Sequence, residues 1–339
     1  MEKLTIDQVA SLACVSRSVV SRVLNNHPNV SEEAKRRVLE VIRKYNYHPS
    51  SVARSLARQR TYEICILTPR RSDEALANGF WTLLHLGIFE QCIRRGYFVS
   101  LSMLSADAEE ALASRILYEH RFDGYVLLTQ EVASCVLESL SAREVPVVLV
   151  GHDPAHPHVH SVDVDNFAGA YRAVRHLCRL GHRRIALMLG NAALQESRDR
   201  RAGYLQALRD ARAELDERLI EEGDYSQHAG YALMKRWLAR GPDFSAVFCT
   251  SDTMAIGALL ALYEAGLRVP SEMAVVGFDD LPVAQYTCPP LTTVHQPIYE
   301  KGQWAANILI DQIEGRSGPA VQVNLQAELV VRSSCGALA

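Results

Sequence analysis

Leu4-Thr5-Ile6-Asp7-Gln8-Val9-Ala10, followed by Val15-Ser16-Arg17-Ser18-Val19-Val20-Ser21-Arg22-Val23-Leu24-Asn25, reads as two short helices on either side of a tight turn. Thr5 is placed to cap the first helix, with Gln8 at the capping-box position, and Ile6, Val9, Ala10 and Leu12 supply its apolar face. Ser16 caps the second. Val19, Val20 and Val23 fall inward at helical spacing, while Arg17, Ser18, Ser21, Arg22 and Asn25 stay on the outer face. Those polar side chains suit phosphates and the edges of bases. A third helix opens at Ser31, carries Glu32 and Glu33 in its first turn, and closes a small core with Val38, Leu39, Val41, Ile42 and Tyr45. Three helices in so short a stretch constitute a minimal DNA-binding module.

The distribution of charge agrees with that reading. Residues 1–60 hold 11 Lys and Arg against 5 Asp and Glu, a net of +6; the whole chain stands at −3, which leaves −9 on the remainder. A basic head on an acidic body is expected if only the head meets a polyanion.

Val15-Ser16, then Val20-Ser21-Arg22-Val23-Leu24-Asn25, then Tyr47-His48-Pro49 resemble the LacI/GalR family of bacterial transcription regulators. The similarity continues through Ser161-Val162-Asp163-Val164-Asp165-Asn166, Gly181-His182-Arg183-Arg184, Ser251-Asp252-Thr253-Met254-Ala255, Val276-Gly277-Phe278-Asp279-Asp280 and Leu291-Thr292-Thr293-Val294, in the family's order. The resemblance implies roles residue by residue. Arg17, Ser18 and Arg22 match positions that read bases in the major groove, whereas Thr5, Ser16, Ser21, Asn25 and Asn29 match positions that mainly hold the DNA backbone. An arginine reaches O6 and N7 of guanine with two hydrogen bonds, so Arg17 and Arg22 should each favour a guanine by roughly 1–3 kcal/mol. The chain departs from the family at Cys14, where a small residue, usually glycine, is found, and at Val19, where a hydroxyl side chain is common. The first departure implies a turn that tolerates a Cβ, and the second removes a phosphate contact.

Residues 50–60 resemble the family's hinge helix, which forms on the operator; Leu56 matches the leucine placed in the minor groove, and Ala53 lies in the same DNA-facing segment. An apolar wedge unstacks a base step and kinks the duplex. A helix of roughly ten residues is too short to be stable alone in water, so this segment should fold on DNA.

From Tyr62 onward short apolar runs alternate with helical patterns, as in Glu63 to Thr68, Val99 to Leu104, Gly124 to Leu128 and Pro146 to Gly151, and then Arg184 to Gly190, Ala246 to Thr250 and Met273 to Phe278. This is the signature of parallel sheets covered by helices, here in two series. The expected architecture is an N-terminal all-α helix-turn-helix head followed by an α/β two-lobe core, which the resemblance makes periplasmic-binding-protein-like. The expected domains are a helix-turn-helix at 1–49, a hinge helix at 50–60, and an effector-binding and dimerisation domain at 61–339. Its N-lobe takes about 61–165 and 298–326 and its C-lobe about 166–296 and 327–339, with crossings near Asn166, Gln296 and Ala327.

Open α/β sheets bind ligands beyond the carboxyl ends of their strands. That rule selects Thr68, Gly151-His152-Asp153, Gly190-Asn191, Ser251-Asp252 and Asp279-Asp280. The family's effector contacts map to the same places, onto Phe80, Trp81, Arg200, Tyr225, Ser251, Asp252, Asp279 and Gln296. Carboxylates and an arginine can bridge vicinal hydroxyls while an aromatic face covers an apolar sugar face, so a sugar or sugar derivative is the favoured effector, with a purine or nucleoside corepressor as the alternative. Asp252 has a second reading as the N-cap of a helix over Thr253 to Ala265.

Four histidines between His152 and His160 could bind a metal, but two prolines interrupt the loop and the spacing matches no fixed motif, so a loop at the cleft rim or dimer contact is expected instead. The eight cysteines are scattered without C-x-x-C pairs and read as small buried hydrophobes in a reducing compartment. No signal peptide or membrane-spanning run is visible, which points to the cytoplasm. A solute-binding protein would explain the cleft but not the head, and no nucleophile elbow, phosphate loop or acid–base pair suggests an enzyme. The expectation is therefore a regulator without cofactor or resident metal. It should act as a homodimer on a near-palindromic operator, as a dimer rather than a tail-linked tetramer.

Overall fold

A computed structural model describes residues 4–24, 27–47, 60–69, 79–104, 121–128 and 134–336. The chain divides into two compact units, Met1–Tyr62 and Glu63–Ala339.

In the first unit three helices, α1 (Ile6–Leu12), α2 (Arg17–Leu24) and α3 (Glu32–Tyr45), enclose Val9, Ala10, Ala13, Val20, Val23, Val38 and Tyr47. The capping box at the start of α1 is complete: the Gln8 N–H donates to Thr5 Oγ1 at 3.3 Å and the Thr5 N–H to Gln8 Oε1 at 2.7 Å. The α1–α2 turn closes with the Val15 N–H donating to the Ala10 carbonyl and the Cys14 N–H to that of Ser11. This is the Schellman pattern, and it puts Cys14 in the left-handed region at φ 51°. The turn thus keeps a glycine-like backbone despite its Cβ. Asn46 ends α3 in the same way, at φ 48°.

Two core expectations need correction. Leu12 is 46 % exposed, because at about 100° per residue it falls off the stripe of Ile6, Val9, Ala10 and Ala13. Tyr45 is 40 % exposed, because the turn at Asn46 reverses the chain and brings Tyr47 into the core instead.

The second unit holds two six-stranded sheets. The first joins β1 (Glu63–Pro69), β2 (Phe98–Leu104), β3 (Gly124–Leu128), β4 (Val147–Val150), β5 (His160–Val164) and β11 (Gln322–Leu325), in the order β11-β5-β4-β3-β1-β2. The second joins β6 (Ile185–Leu189), β7 (Ile220–Glu222), β8 (Ala246–Cys249), β9 (Ala274–Asp279), β10 (Thr292–His295) and β12 (Glu328–Val330), in the order β12-β10-β9-β8-β6-β7. All pairings between these strands are parallel except β10 with β12. The central strands are continuous apolar runs buried on both faces, as helix-covered parallel sheets require. The chain leaves the first sheet after β5, returns after β10, and passes over again between β11 and β12.

Close helix packing seats the return. In the helices Gly79–Arg94 and Ile298–Ile313, a Cβ on Gly87 would overlap the Tyr299 carbonyl and one on Gly302 the Leu84 carbonyl, so only glycine permits this approach. Of the described cysteines, Cys65, Cys92, Cys178, Cys249 and Cys335 are buried as expected; Cys14 and Cys288 are exposed, since both lie in loops. No helix among the described residues is long and apolar enough to cross a membrane.

Candidate functional site

On the head, Arg17, Ser18 and Arg22 are exposed while Val20 and Val23 of the same helix are buried, so α2 presents one polar face. Thr5 and Ser16 begin helices: the Thr5 hydroxyl accepts from Gln8, and Ser16 Oγ accepts from the Val19 N–H at 3.4 Å and lies 2.8 Å from Ser18 Oγ. Ser21 is half-buried, and Asn29 is exposed with its N–H donating to His27 Nδ1 at 3.3 Å. Asn25, Ala53 and Leu56, with the hinge segment except Arg60, lie outside the described residues.

In the body the carboxyl ends of the strands carry a linked set of polar side chains. Arg200, in the helix Gln195–Asp210, is 5 % exposed and stands at its centre. Its Nε donates to Asn166 Oδ1 at 2.9 Å and its Nη1 to the Thr250 carbonyl at 2.5 Å, and Nη1 lies 4.0 Å from Asp279 Oδ1. The guanidinium also lies 3.8 Å above the Phe278 ring. Asp279, at the end of β9, accepts from Gln296 Nε2 at 2.5 Å. Burial raises the pKa of Asp279 to about 6 even though Arg200 and the Gln296 amide favour its charge. Gln296 Oε1 is buried and has no hydrogen-bond partner among the described residues. An orphaned acceptor of this kind is suited to a ligand hydroxyl.

The N-cap beside these two effector candidates is Ser251 and not Asp252. Ser251 is the N-cap of the helix Asp252–Glu264, accepting from the Met254 N–H at 3.2 Å. Asp252 is fully buried within that helix, with Oδ2 accepting from the Leu281 N–H at 2.7 Å and Oδ1 from Thr293 Oγ1 at 2.5 Å. Burial and the neighbouring Asp279 push its pKa well up. Asp252 therefore ties β10 and the segment after β9 to its helix, and its two oxygens are already engaged.

Tyr225 takes a left-handed backbone at φ 68° and lies against Gly190, where any Cβ would overlap its ring; its hydroxyl meets Ser197 Oγ at 2.5 Å. Phe80 and Trp81 open the helix Gly79–Arg94, half-buried and packed edge to face at 5.2 Å. A Cβ at the neighbouring Gly79 would lie 3.7 Å from Leu281, so these aromatics start beside the segment that follows Asp279.

Several members of this set went unnamed as binding residues. Asn166 lies within the Asp165-Asn166 crossing, a signal that a crossing between sheets could have supplied. Asp163 and Lys301 had none: they are 138 positions apart, yet Lys301 Nζ donates to Asp163 Oδ1 at 2.8 Å and both are buried. Burial opposes the charge of Asp163, but Lys301 and the His152 and backbone hydrogen bonds prevail and hold it well below the usual carboxylate range. His152 Nδ1 approaches Asp163 Oδ2 at 3.2 Å and its Nε2 approaches Asp199 Oδ2 at 3.8 Å. Two of the other loop histidines are engaged elsewhere, His156 with Asp153 and His160 with the Val321 N–H, and His158 packs edge to face on the His156 ring.

Comparisons with known proteins agree with both halves of this picture. The model of the lacI family of bacterial regulatory proteins matches residues 5–50, and the periplasmic binding protein-like domain matches residues 174–335. The transcriptional regulator CelR of Thermobifida fusca is 35 % identical over 333 residues, covering 97 % of this chain and 98 % of the relative. The transcriptional repressor PurR of Haemophilus influenzae is 32 % identical over 335 residues, with 97 % and 98 % covered. Among solved structures, a CelR–cellobiose complex aligns with a TM-score of 0.76 at 33 % identity, over 98 % of this chain and 100 % of the other. The lac repressor dimer bound to operator and the anti-inducer ONPF aligns at 0.87 and 28 %, over 98 % and 99 %. This chain belongs to the lacI family of bacterial regulatory proteins and is a DNA-binding transcriptional regulator.

Proposed function

We propose that this regulator is a repressor whose operator affinity is set by a sugar or sugar derivative held at the strand ends of its body. The observation that carries this reading is the buried array of Asn166, Arg200, Asp279 and Gln296, in which donors and acceptors are braced against one another and Gln296 Oε1 is left open. Such an array recognises hydroxyls, and Phe80, Trp81 and Tyr225 supply apolar faces for a pyranose. The cellobiose-bound relative supports the same ligand class. Because those rings can equally stack on a flat base, purines and nucleosides belong in the test panel.

The protein acts without catalysis, in the cytoplasm, as a homodimer on a near-palindrome. Arg17, Ser18 and Arg22 read bases, while Thr5, Ser16, Ser21, Asn25 and Asn29 hold the backbone. Residues 50–60 form a hinge helix on the operator that places Leu56 in the minor groove, with Ala53 in the same DNA-facing segment. A change in the angle between lobes on effector binding alters hinge folding and so couples the two sites, by a free energy typically of 1–3 kcal/mol.

Selection of bound sequences from a randomised duplex library, at two salt concentrations and with a panel of sugars and nucleosides, tests the whole reading. A palindromic site with steep salt dependence, whose affinity one sugar changes, is the expected result. Response to a nucleoside alone would replace the sugar, and absence of any sequence preference would remove the regulator reading.

A further inference from the structure

We propose that Asp7 is the positioning residue for Arg17 in operator reading, a role that rests on the reading of Arg17 as a guanine-contacting side chain. Arg17 is the first residue of α2, the end at which the aligned peptide dipoles disfavour a cation, and no acidic residue lies in that helix's first turn. The compensating charge comes from the neighbouring helix: Asp7, in the first turn of α1, places Oδ1 3.9 Å from Arg17 Nε. The backbone is held at both ends of the pair. The Thr5–Gln8 capping box anchors the start of α1, and Ser16 Oγ, accepting from the Val19 N–H, anchors the start of α2.

Both side chains are largely exposed, at 67 % for Asp7 and 70 % for Arg17, so the pair adds little to stability. Its effect is orientation. With the carboxylate on the Nε edge, the two terminal guanidinium nitrogens remain as the fork that a guanine edge accepts. An anion on the DNA-facing side of the head also disfavours every duplex through its charge, whatever the sequence. Asp7 therefore raises discrimination and lowers overall affinity, two effects that a purely structural residue would not set against each other.

The test uses the full-length protein on its selected operator and on the same duplex with the guanine pair read by Arg17 exchanged in both half-sites. Asp7→Asn should reduce discrimination between the two by roughly two- to fivefold, the range of an exposed ion pair, while raising affinity for the exchanged duplex. Asp7→Glu should keep most of the discrimination. In an Arg17→Ala background, Asp7→Asn should leave discrimination where Arg17→Ala alone put it. Unchanged discrimination in Asp7→Asn, or an equal loss of affinity for both duplexes with a lower melting temperature, overturns the proposal and leaves Asp7 as a helix-stabilising residue. If Arg17→Ala itself alters no base preference, the assignment of Arg17 fails first, and that result is separate from the behaviour of Asp7.

Discussion

The head and the body use polar side chains in opposite ways. On α2 of the head, Arg17, Ser18 and Arg22 stand in solvent, outside the core of Val9, Ala10, Ala13, Val20, Val23, Val38 and Tyr47. In the body, Arg200, Asp279, Gln296 and Asn166 are each no more than 5 % exposed, and each is held by another member of the set. A face that must meet a large polyanion can be left open, because the partner supplies the counter-charges. A pocket for a small neutral molecule must satisfy its own charges before the ligand arrives. Removing a base-reading residue should therefore damage recognition alone in the head, whereas removing a member of the buried set should damage recognition together with stability in the body.

The largest effect that could break this contrast is expected from Arg200→Ala. It removes the cation that most favours the charge of buried Asp279 and leaves only the weaker influence of Lys301, so the body should lose about 3–5 kcal/mol in urea unfolding and all response to effector. A variant of wild-type stability would show that Arg200 is not the brace of the site. Arg22→Ala tests the other side. It should leave the unfolding midpoint unchanged while reducing preference for one base, at symmetric operator positions, by roughly 1–3 kcal/mol in competition binding.

Acidity sharpens the comparison on the side of the body, at Asp279. A carboxyl whose folded pKa is raised contributes stability that is fully present below its unfolded value of 3.8 and is lost as pH rises through about 6. Wild type should therefore lose stability relative to Asp279→Asn between about pH 4 and 6, followed by urea titration at several pH values. Asp163 acts with the opposite sign: its depressed pKa contributes stability present above 3.8 and lost only on further acidification. A flat difference between wild type and Asp279→Asn would mean that Asp279 is not desolvated. The smallest effect lies in the head, at the left-handed Cys14. Cys14→Gly removes a Cβ from a position that disfavours one, and should raise the head's stability by no more than about 1 kcal/mol in a thermal melt, with DNA preference unaltered.

How much was legible beforehand follows the same division. The caps at Thr5, Ser16 and Ser31, the buried Val20 and Val23 and the exposed Arg17 and Arg22 could be read directly, because a helix repeats every 3.6 residues and its face is a local property. Even there, Leu12 and Tyr45 were misplaced, since both sit where a helix ends and the following turn, not the periodicity, decides what is covered. In the body, strand ends located Asp279 and Gly190, yet the second reading of Asp252 as an N-cap fails: adjacent residues at a helix start look alike as caps until the hydrogen bonds show that Ser251 caps the helix while Asp252 reaches Leu281 and β10.

By itself, then, the order of residues determined the three-helix head with its polar face, the two α/β series, and the strand ends where a ligand can bind, all through short-range repeats and turn chemistry. Tertiary structure alone decided which polar groups meet: Lys301 with Asp163 across 138 positions, Arg200 with the Thr250 carbonyl across 50, and Gln296 with Asp279 at the return to the first sheet. Those partners lie in, or just beyond the ends of, different strands and helices. Nothing in local backbone geometry links them: the pairing of β9 with β10 sets Gln296 beside Asp279, and the packing of helices against the two sheets brings the other pairs within hydrogen-bonding distance.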